Sequence, residues 1–275
     1  MPNGADSVDV SALDSVDSGL SWQRYVHAEP VWGTVVTFDL RGPVLDADLA
    51  AAACRQAAEE LHRIDGWMSP FRSDSAISAI RSGALAVADA PKPVREVLDA
   101  CAELAILSDG AFDAWRQPGG VDPCGYVKGW GADRAAEILV GQGFAHVSVN
   151  AAGDVTCRGE SAPGRGGWRI GVADPRDRQQ VIAEHLVVNA HLATSGRYEL
   201  GDHVRDPRTG QPVTGVDSAT VLAADGGLAD AWATALLVSG PAGLARLGEH
   251  AASAMVVTGG QVWTIGAGWA ASASR

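Results

Sequence analysis

The chain has 275 residues, 47% hydrophobic and 20% charged, which is enough apolar material for one large packed domain or two small ones. A net charge of −12 and a pI near 4.9 argue against nucleic acid or an anionic membrane surface as the main partner, so an anionic ligand needs a local positive site or a metal ion. Cys54, Cys101, Cys124 and Cys157 are scattered without a C-x-x-C pair and read as reduced thiols of a cytoplasmic protein.

Residues 1–20 are polar, rich in Asp and Ser, and read as a mobile segment ahead of a single domain over 21–275. They show no basic region followed by an apolar core, the pattern of a signal peptide, and no run reaches the apolar length of a membrane span. Val31 to Leu40 is rich in β-branched and aromatic residues and predicts a strand. Asp46 to Asp65 predicts an amphipathic helix with Ala50, Ala53, Ala57, Leu61 and Ile64 on one face. A loop from Gly66 to Arg72 follows, then a short helix capped by Asp74, then a helix from Pro93 to Ser108 stopped by Gly110.

Val121-Asp-Pro-Cys-Gly-Tyr-Val-Lys-Gly-Trp-Gly-Ala-Asp-Arg134 reads as a glycine-rich loop running into a helix over Ala135–Leu139. Such a junction presents free N–H groups and a positive dipole end to an anion, and Lys128 adds a charge. The spacing matches neither the Walker nor the dinucleotide pattern, and an ordinary loop–helix junction fits it equally well.

Beyond it the pattern turns to strands at Phe144–Asn150, Trp168–Val172, His185–Ala193 and Ser218–Ala223, with a turn over Asn150–Asp154. Leu228–Ser239 and Ala242–Ala251 predict helices, and Ala254–Ile265 a hairpin turned on Gly259-Gly260. Strands in succession with segregated helices favour an α+β fold over a doubly wound sheet.

Several constellations carry chemistry or ordinary structure with equal ease. Asp230 and Thr234 lie four apart on a predicted helix and share a face, suiting a hard-oxygen site for Mg²⁺ or Ca²⁺, or a dipole partner and a back-bonded hydroxyl. His203 stands beside the turn formers Asp206-Pro207 and Thr209-Gly210, as a base poised near neutral pH or a surface histidine. Thr194 and Ser195 sit beside Gly196 at a strand end, and Asp154 follows a tight turn. Trp32, Trp67, Phe71, Phe112, Trp115 and Trp130 fall in the loops of the first half, as core or as a stacking surface for a flat ring.

Read together, these segments resemble the FAD:protein FMN transferase (ApbE) family. The resemblance runs from about Val31 to Gly240. It rests on motifs that stand in family order: Trp32-Gly-Thr34, Met68 to Ile77, Gly110-Ala-Phe-Asp113, Asp122 to Trp130, Asn150 to Asp154, Ala193-Thr-Ser-Gly196, His203 to Gly210 and Ala229-Asp-Ala-Trp-Ala-Thr234. The resemblance implies a two-lobed α+β fold related to the tunnelling fold, with mixed or antiparallel sheets and FAD between the lobes. It implies a divalent cation such as Mg²⁺ on the FAD pyrophosphate and an acceptor flavoprotein whose threonine takes FMN as AMP leaves. FAD pyrophosphatase and non-catalytic flavin binding are the alternatives. By position, Asp230, Thr234 and the Val127 carbonyl would hold the metal. Trp32, Phe71, Ala111, Phe112, Asp113, Cys124, Trp130 and Ala219 would line the FAD site. His203 would activate the acceptor threonine, and Asp154 matches the acidic residue of a Gly-Gly-Asp turn. The chain departs from the family at Trp32 (Met), Ala152 (Gly), Ala114-Trp115 (Pro-Thr) and Arg205 (apolar).

Overall fold

Alternation along the strands decides how the layers stack. In this computed structural model, which describes residues 22–197 and 204–271, one large sheet has both faces covered. Its strands are β1 (Gln23–Val31), β2 (Thr34–Gly42), β3 (His146–Ala151), β4 (Asp154–Arg158), β7 (His191–Gly196), β8 (Ser218–Ala223), β9 (Ser253–Thr258) and β10 (Gln261–Gly266). They lie side by side in that order, and every neighbouring pair is antiparallel. A second sheet, in the order β11 (Ala270–Ala271), β6 (Asp177–Val187), β5 (Trp168–Asp174), covers part of one face.

Successive side chains of a strand point to opposite faces. On β9, Ala254 and Val256 join the main core under the helices, while Met255 and Val257 join the smaller core against the second sheet. On β4, Val155 and Cys157 go to the smaller core, and Thr156 points the other way, toward Asp133. The α+β class with antiparallel sheets and segregated helices is as the sequence implies.

The helices are α1 (Ala47–Met68), α2 (Ala76–Arg81), α3 (Lys92–Leu107), α4 (Cys124–Gly141), α5 (Gly226–Ser239) and the single turn α6 (Leu244–Leu247). Asp46 caps α1 by accepting from Asp48 N and Leu49 N at 3.0 and 3.1 Å, and the predicted face from Ala50 to Ile64 is buried.

Several boundaries differ from the sequence reading, each for a physical reason. The single strand expected over Val31–Leu40 is two strands, because the chain reverses at Trp32 and Gly33 with φ of 57° and 70°. Gly66 to Met68 continue α1 rather than forming a loop. Ser75, not Asp74, caps α2, its hydroxyl accepting from Ser78 N at 3.0 Å while Asp74 pairs with Arg72. The strand expected over His185–Ala193 breaks at 188–190, where Asn189 adopts a φ of 45°. The helix expected over Ala242–Ala251 shrinks to α6 between 3₁₀ turns. The expected mobile segment 1–20 lies outside the described residues.

The largest departure is the glycine-rich stretch, which is already helical from Cys124. Each glycine in a helix costs about 0.5–1 kcal/mol relative to alanine. Burying each large side chain of the inward face, such as Leu139, returns about 1.5–3 kcal/mol. The glycines also permit contacts no other residue allows. A Cβ on Gly129 would overlap the Gly226 carbonyl, and one on Gly131 the Trp32 ring.

The stretch Gly226–Leu247, with mean hydropathy 1.2, corrects the expectation that no segment has the length and apolarity of a membrane span. Its first part is the core helix α5, the stretch breaks at Gly240 where φ is 64°, and 61% of its most apolar part is buried within the protein.

Ala152 sits at φ 55° in the β3–β4 turn, followed by Gly153 at φ 100°, with the Asn150 side chain accepting from Gly153 N at 2.9 Å. A left-handed alanine costs about 1–2 kcal/mol. Ala152→Gly, which restores the family residue, is therefore expected to raise the midpoint of denaturant unfolding by about 1 kcal/mol equivalent, net of the added chain entropy. An unchanged or lowered midpoint would contradict the strain.

Candidate active site

The site forms where α4 meets α5. Asp133, on α4, accepts from Gly226 N, and Gly129 N donates to Asp230 Oδ2 at 3.2 Å, so the two helices are joined at two points along the contact. Gly227 lies against the Tyr126 ring, leaving no room for a Cβ. One turn along α5, Thr234 Oγ1 lies 3.2 Å from Ser195 Oγ on β7. A Cβ on Gly125 would sit 3.0 Å from that same hydroxyl and 3.4 Å from the Phe112 ring, so the glycine keeps the space beside Thr234 open. Gly125 itself leaves helical geometry at φ −79° and ψ 16°.

Asp230 is 1% exposed and Asp154 is 1% exposed, and Lys128 lies between them. The Lys128 ammonium forms an ion pair with Asp154 and stands 3.5 Å from Asp230 Oδ1. Asp154 Oδ1 also accepts from Thr194 N at 3.3 Å, which ties the β3–β4 turn to β7. Burial pushes the Asp230 carboxyl up to about 6, repulsion by Asp154 adds to the rise, and Lys128 opposes it. Two buried carboxylates against one ammonium leave a site that gains by taking up positive charge.

The anion-binding reading of the glycine-rich stretch needs correction. The helix begins at Cys124 rather than behind Arg134, and three of its first four N–H groups are taken. Cys124 N donates to Asp122, Tyr126 N and Val127 N to the Pro123 carbonyl, and Gly129 N to Asp230. Positive charge here comes from Lys128.

Beside this cluster opens a cleft of about 570 Å³, lined by Trp32, Met68, Phe71, Cys124, Val127 and Lys128 among others. Phe71 is 89% exposed at its rim. The Trp32 indole N–H is buried without a hydrogen-bond partner among the described residues.

Of the residues expected to line a flavin site, Trp32, Phe71 and Cys124 do line this cleft, and so does Val127, whose carbonyl was expected at the metal. Ala111 and Phe112 are buried, with the Phe112 ring against the open space at Gly125. Asp113 uses its carboxylate locally, accepting from Trp115 N at 2.8 Å and Arg116 N at 3.2 Å. Trp130 does not line the cleft; its ring is covered by the Arg134 guanidinium, 4.9 Å from the ring centroid. Ala219 is buried on β8 opposite Ser195. His203 lies outside the described residues. Sequence reasoning gave Lys128 only a loose role as a mobile charge and did not single out Asp133; the i, i+5 spacing of the two gives no signal of a shared site.

No cluster of three or more His, Cys, Asp or Glu side chains able to hold a metal occurs among the described residues. A cation at Asp230 would therefore depend on hydroxyl and carbonyl oxygens, a hard-oxygen set suited to Mg²⁺ or Ca²⁺. The open space beside Thr234 and the excess of buried negative charge both fit such an ion.

A sequence profile of the ApbE family matches residues 32–119 and 115–258. The chain belongs to the ApbE family. Two similar proteins named FAD:protein FMN transferase come from Klebsiella pneumoniae, 36% identical over 124 residues, and Rhodobacter capsulatus, 38% identical over 123 residues. Each match takes in 42% of this chain but only 35% and 23% of the relative, so the chain matches about a third or less of their length. The flavin transferase ApbE of Vibrio cholerae has the same fold, with a TM-score of 0.77, 21% identity, and coverage of 89% of this chain and 97% of that one. The ApbE protein of Thermotoga maritima also gives 0.77, at 24% identity, covering 88% and 96%. In this ApbE chain the fold thus places Asp230 and Asp154 behind Lys128, which is the member of the cluster that lines the cleft.

A carboxyl raised by folding is held in its protonated form, so its contribution to stability is full below its ordinary value of 3.8 and is lost as pH rises through about 6. Asp230→Asn imitates the protonated carboxyl at every pH. With chelator present, the variant should gain thermal stability relative to wild type as pH rises from about 4 to 7. A difference in Tm that does not change with pH would contradict the shift.

Proposed function

We propose that this chain is a metal-dependent FAD:protein FMN transferase, moving FMN from FAD to a threonine of an acceptor flavoprotein with release of AMP. The observation that carries the reading is the Asp230–Lys128–Asp154 cluster, two buried carboxylates joined through Lys128 to a cleft that has Trp32 and Phe71 at its edge. The volume suits a ligand of nucleotide size. Family membership and the relatives' names support the choice of FAD over other anions.

In this reading Phe71 and Trp32 hold the flavin nucleotide. Asp230, Thr234 and the Val127 carbonyl would hold one divalent cation such as Mg²⁺. Such an ion supplies charge neutralisation on the transferring phosphate. Lys128 offers its ammonium to the same phosphates, and Asp154, with its second oxygen on Thr194 N, keeps that ammonium in place. The acceptor hydroxyl forms a new P–O bond to the FMN phosphorus. The bond from that phosphorus to the bridging oxygen breaks, and AMP carries the electron pair away. His203 is the base that takes the hydroxyl proton, a role that rests on its sequence motif alone. General-base help is worth about 10²–10⁴-fold in rate.

One incubation tests the reading. Protein, FAD and Mg²⁺ are combined with and without an acceptor carrying the target threonine, and products are separated by mass and fluorescence. Covalently fluorescent acceptor plus AMP is the expected result, lost in Asp230→Ala and reduced by about 10²–10⁴-fold in His203→Ala. Free FMN and AMP regardless of acceptor would make the chain a pyrophosphatase, and unchanged FAD would make it a binding protein.

A further inference from the structure

The proposed metal ligands come from two helices, Val127 on α4 and Asp230 and Thr234 on α5. Their spacing is correct only if α5 starts at a fixed point along α4. The first N–H groups of a helix have no partner within the helix. Asp225 is the local cap of α5, and its carboxylate accepts from Leu228 N at 2.7 Å. Gly226 N goes elsewhere. It donates to Asp133 Oδ2, on the other helix, at 2.5 Å.

Asp133 is held from behind. Its Oδ1 accepts from the Thr156 hydroxyl at 2.9 Å and from Arg158 Nη2 at 3.3 Å, and His191 Nδ1 stands 3.6 Å away. Thr156 donates its one proton to Asp133, so its contact with His191 Nδ1 requires the ring to donate. The direction of the chain is then fixed: His191 to Thr156, Thr156 to Asp133, with Gly226 donating to the other oxygen. Burial raises the Asp133 carboxyl, but the His191, Gly226 and Arg158 contacts outweigh it and hold it below the usual range. The carboxylate is thus ionised, acceptor-only and anchored to β4 and β7.

Gly226 can come close enough to donate this bond only because it is glycine, since a Cβ there would overlap the Gly129 carbonyl and the His191 ring. Gly129 is also the donor to Asp230. From Asp133 to Gly226 to Asp230 is therefore one rigid path of less than two helical turns.

Resting on the flavin-transferase reading, we infer that Asp133 is a positioning residue for the metal: by capping α5 from α4, it sets the distance between the Val127 carbonyl and the Asp230–Thr234 pair. Partners that orient metal ligands typically change affinity by about 10–100-fold when removed. Asp133→Asn keeps the shape of the side chain but points an N–H₂ at one of its donors.

The test is Mn²⁺ titration of the apo protein by electron paramagnetic resonance, for wild type, Asp133→Asn and Asp230→Ala, alongside FAD titration in EDTA. The expected result is a loss of Mn²⁺ affinity of about 10–100-fold in Asp133→Asn, with metal-free FAD affinity close to wild type and turnover restored at saturating Mn²⁺. Wild-type Mn²⁺ affinity in a folded Asp133→Asn protein overturns the inference, and so does a parallel loss of metal and metal-free FAD binding. If Asp133→Asn does not fold, Thr156→Val decides, since it removes one bond to the same carboxylate: a weaker Mn²⁺ affinity with FAD binding intact supports the inference, and no change overturns it. Asp230→Ala separates the two readings, because undiminished Mn²⁺ binding there defeats the metal assignment itself rather than the role of Asp133.

Discussion

Everything at the site depends on how closely two backbones approach. Gly129 on α4 and Gly226 on α5 face each other with no side chain between them, and a Cβ on either would overlap the other's carbonyl. That approach is what lets a main-chain N–H of one helix reach the Asp230 carboxylate of the other. The cost in helix propensity, about 0.5–1 kcal/mol per glycine, is local. It is offset by the apolar faces that the two helices bury against the eight-stranded sheet. The same contact that forms the core sets the chemistry, so packing and site geometry cannot be varied independently here.

The electrostatics follow from that geometry. A protein of net charge −12 meets an anionic ligand only by concentrating positive charge locally. Here two nearly fully buried carboxylates share one ammonium. Burial makes the ionised form of Asp230 costly, and a divalent ion reverses that cost by replacing a proton. In the proposed reading, metal and phosphate binding would be coupled through Lys128, which lies against the carboxylates and also faces the cleft.

Much of this was legible in the sequence where the signal was local. The alternating strands from Phe144 onward, the Gly259-Gly260 hairpin and the buried face of α1 follow from periodicity and turn chemistry. The i, i+4 pairing of Asp230 and Thr234 gave the shared face directly. What was not legible was set by tertiary contact. Three glycines within seven residues read as a loop, yet Gly129 and Gly131 lie in a helix with Gly125 at a kink near its start, and Gly226 and Trp32 pack where side chains on Gly129 and Gly131 would be. The turn at Trp32-Gly33 hides in a run of strand formers because a tryptophan rarely takes a positive φ. Asp133 reads as one polar residue in a helix, and only the fold shows it capping a helix some ninety residues away.

The central claim is that Asp230 and Thr234 hold a divalent ion against the pyrophosphate of FAD in this cleft. It is tested most directly by ³¹P NMR of FAD bound to the protein while Mn²⁺ is added at substoichiometric levels. The account predicts strong paramagnetic broadening of both phosphorus lines in the wild-type protein and little in Asp230→Ala at the same Mn²⁺ concentration. Equal broadening in the two proteins, or sharp lines in both with FAD demonstrably bound, would contradict it.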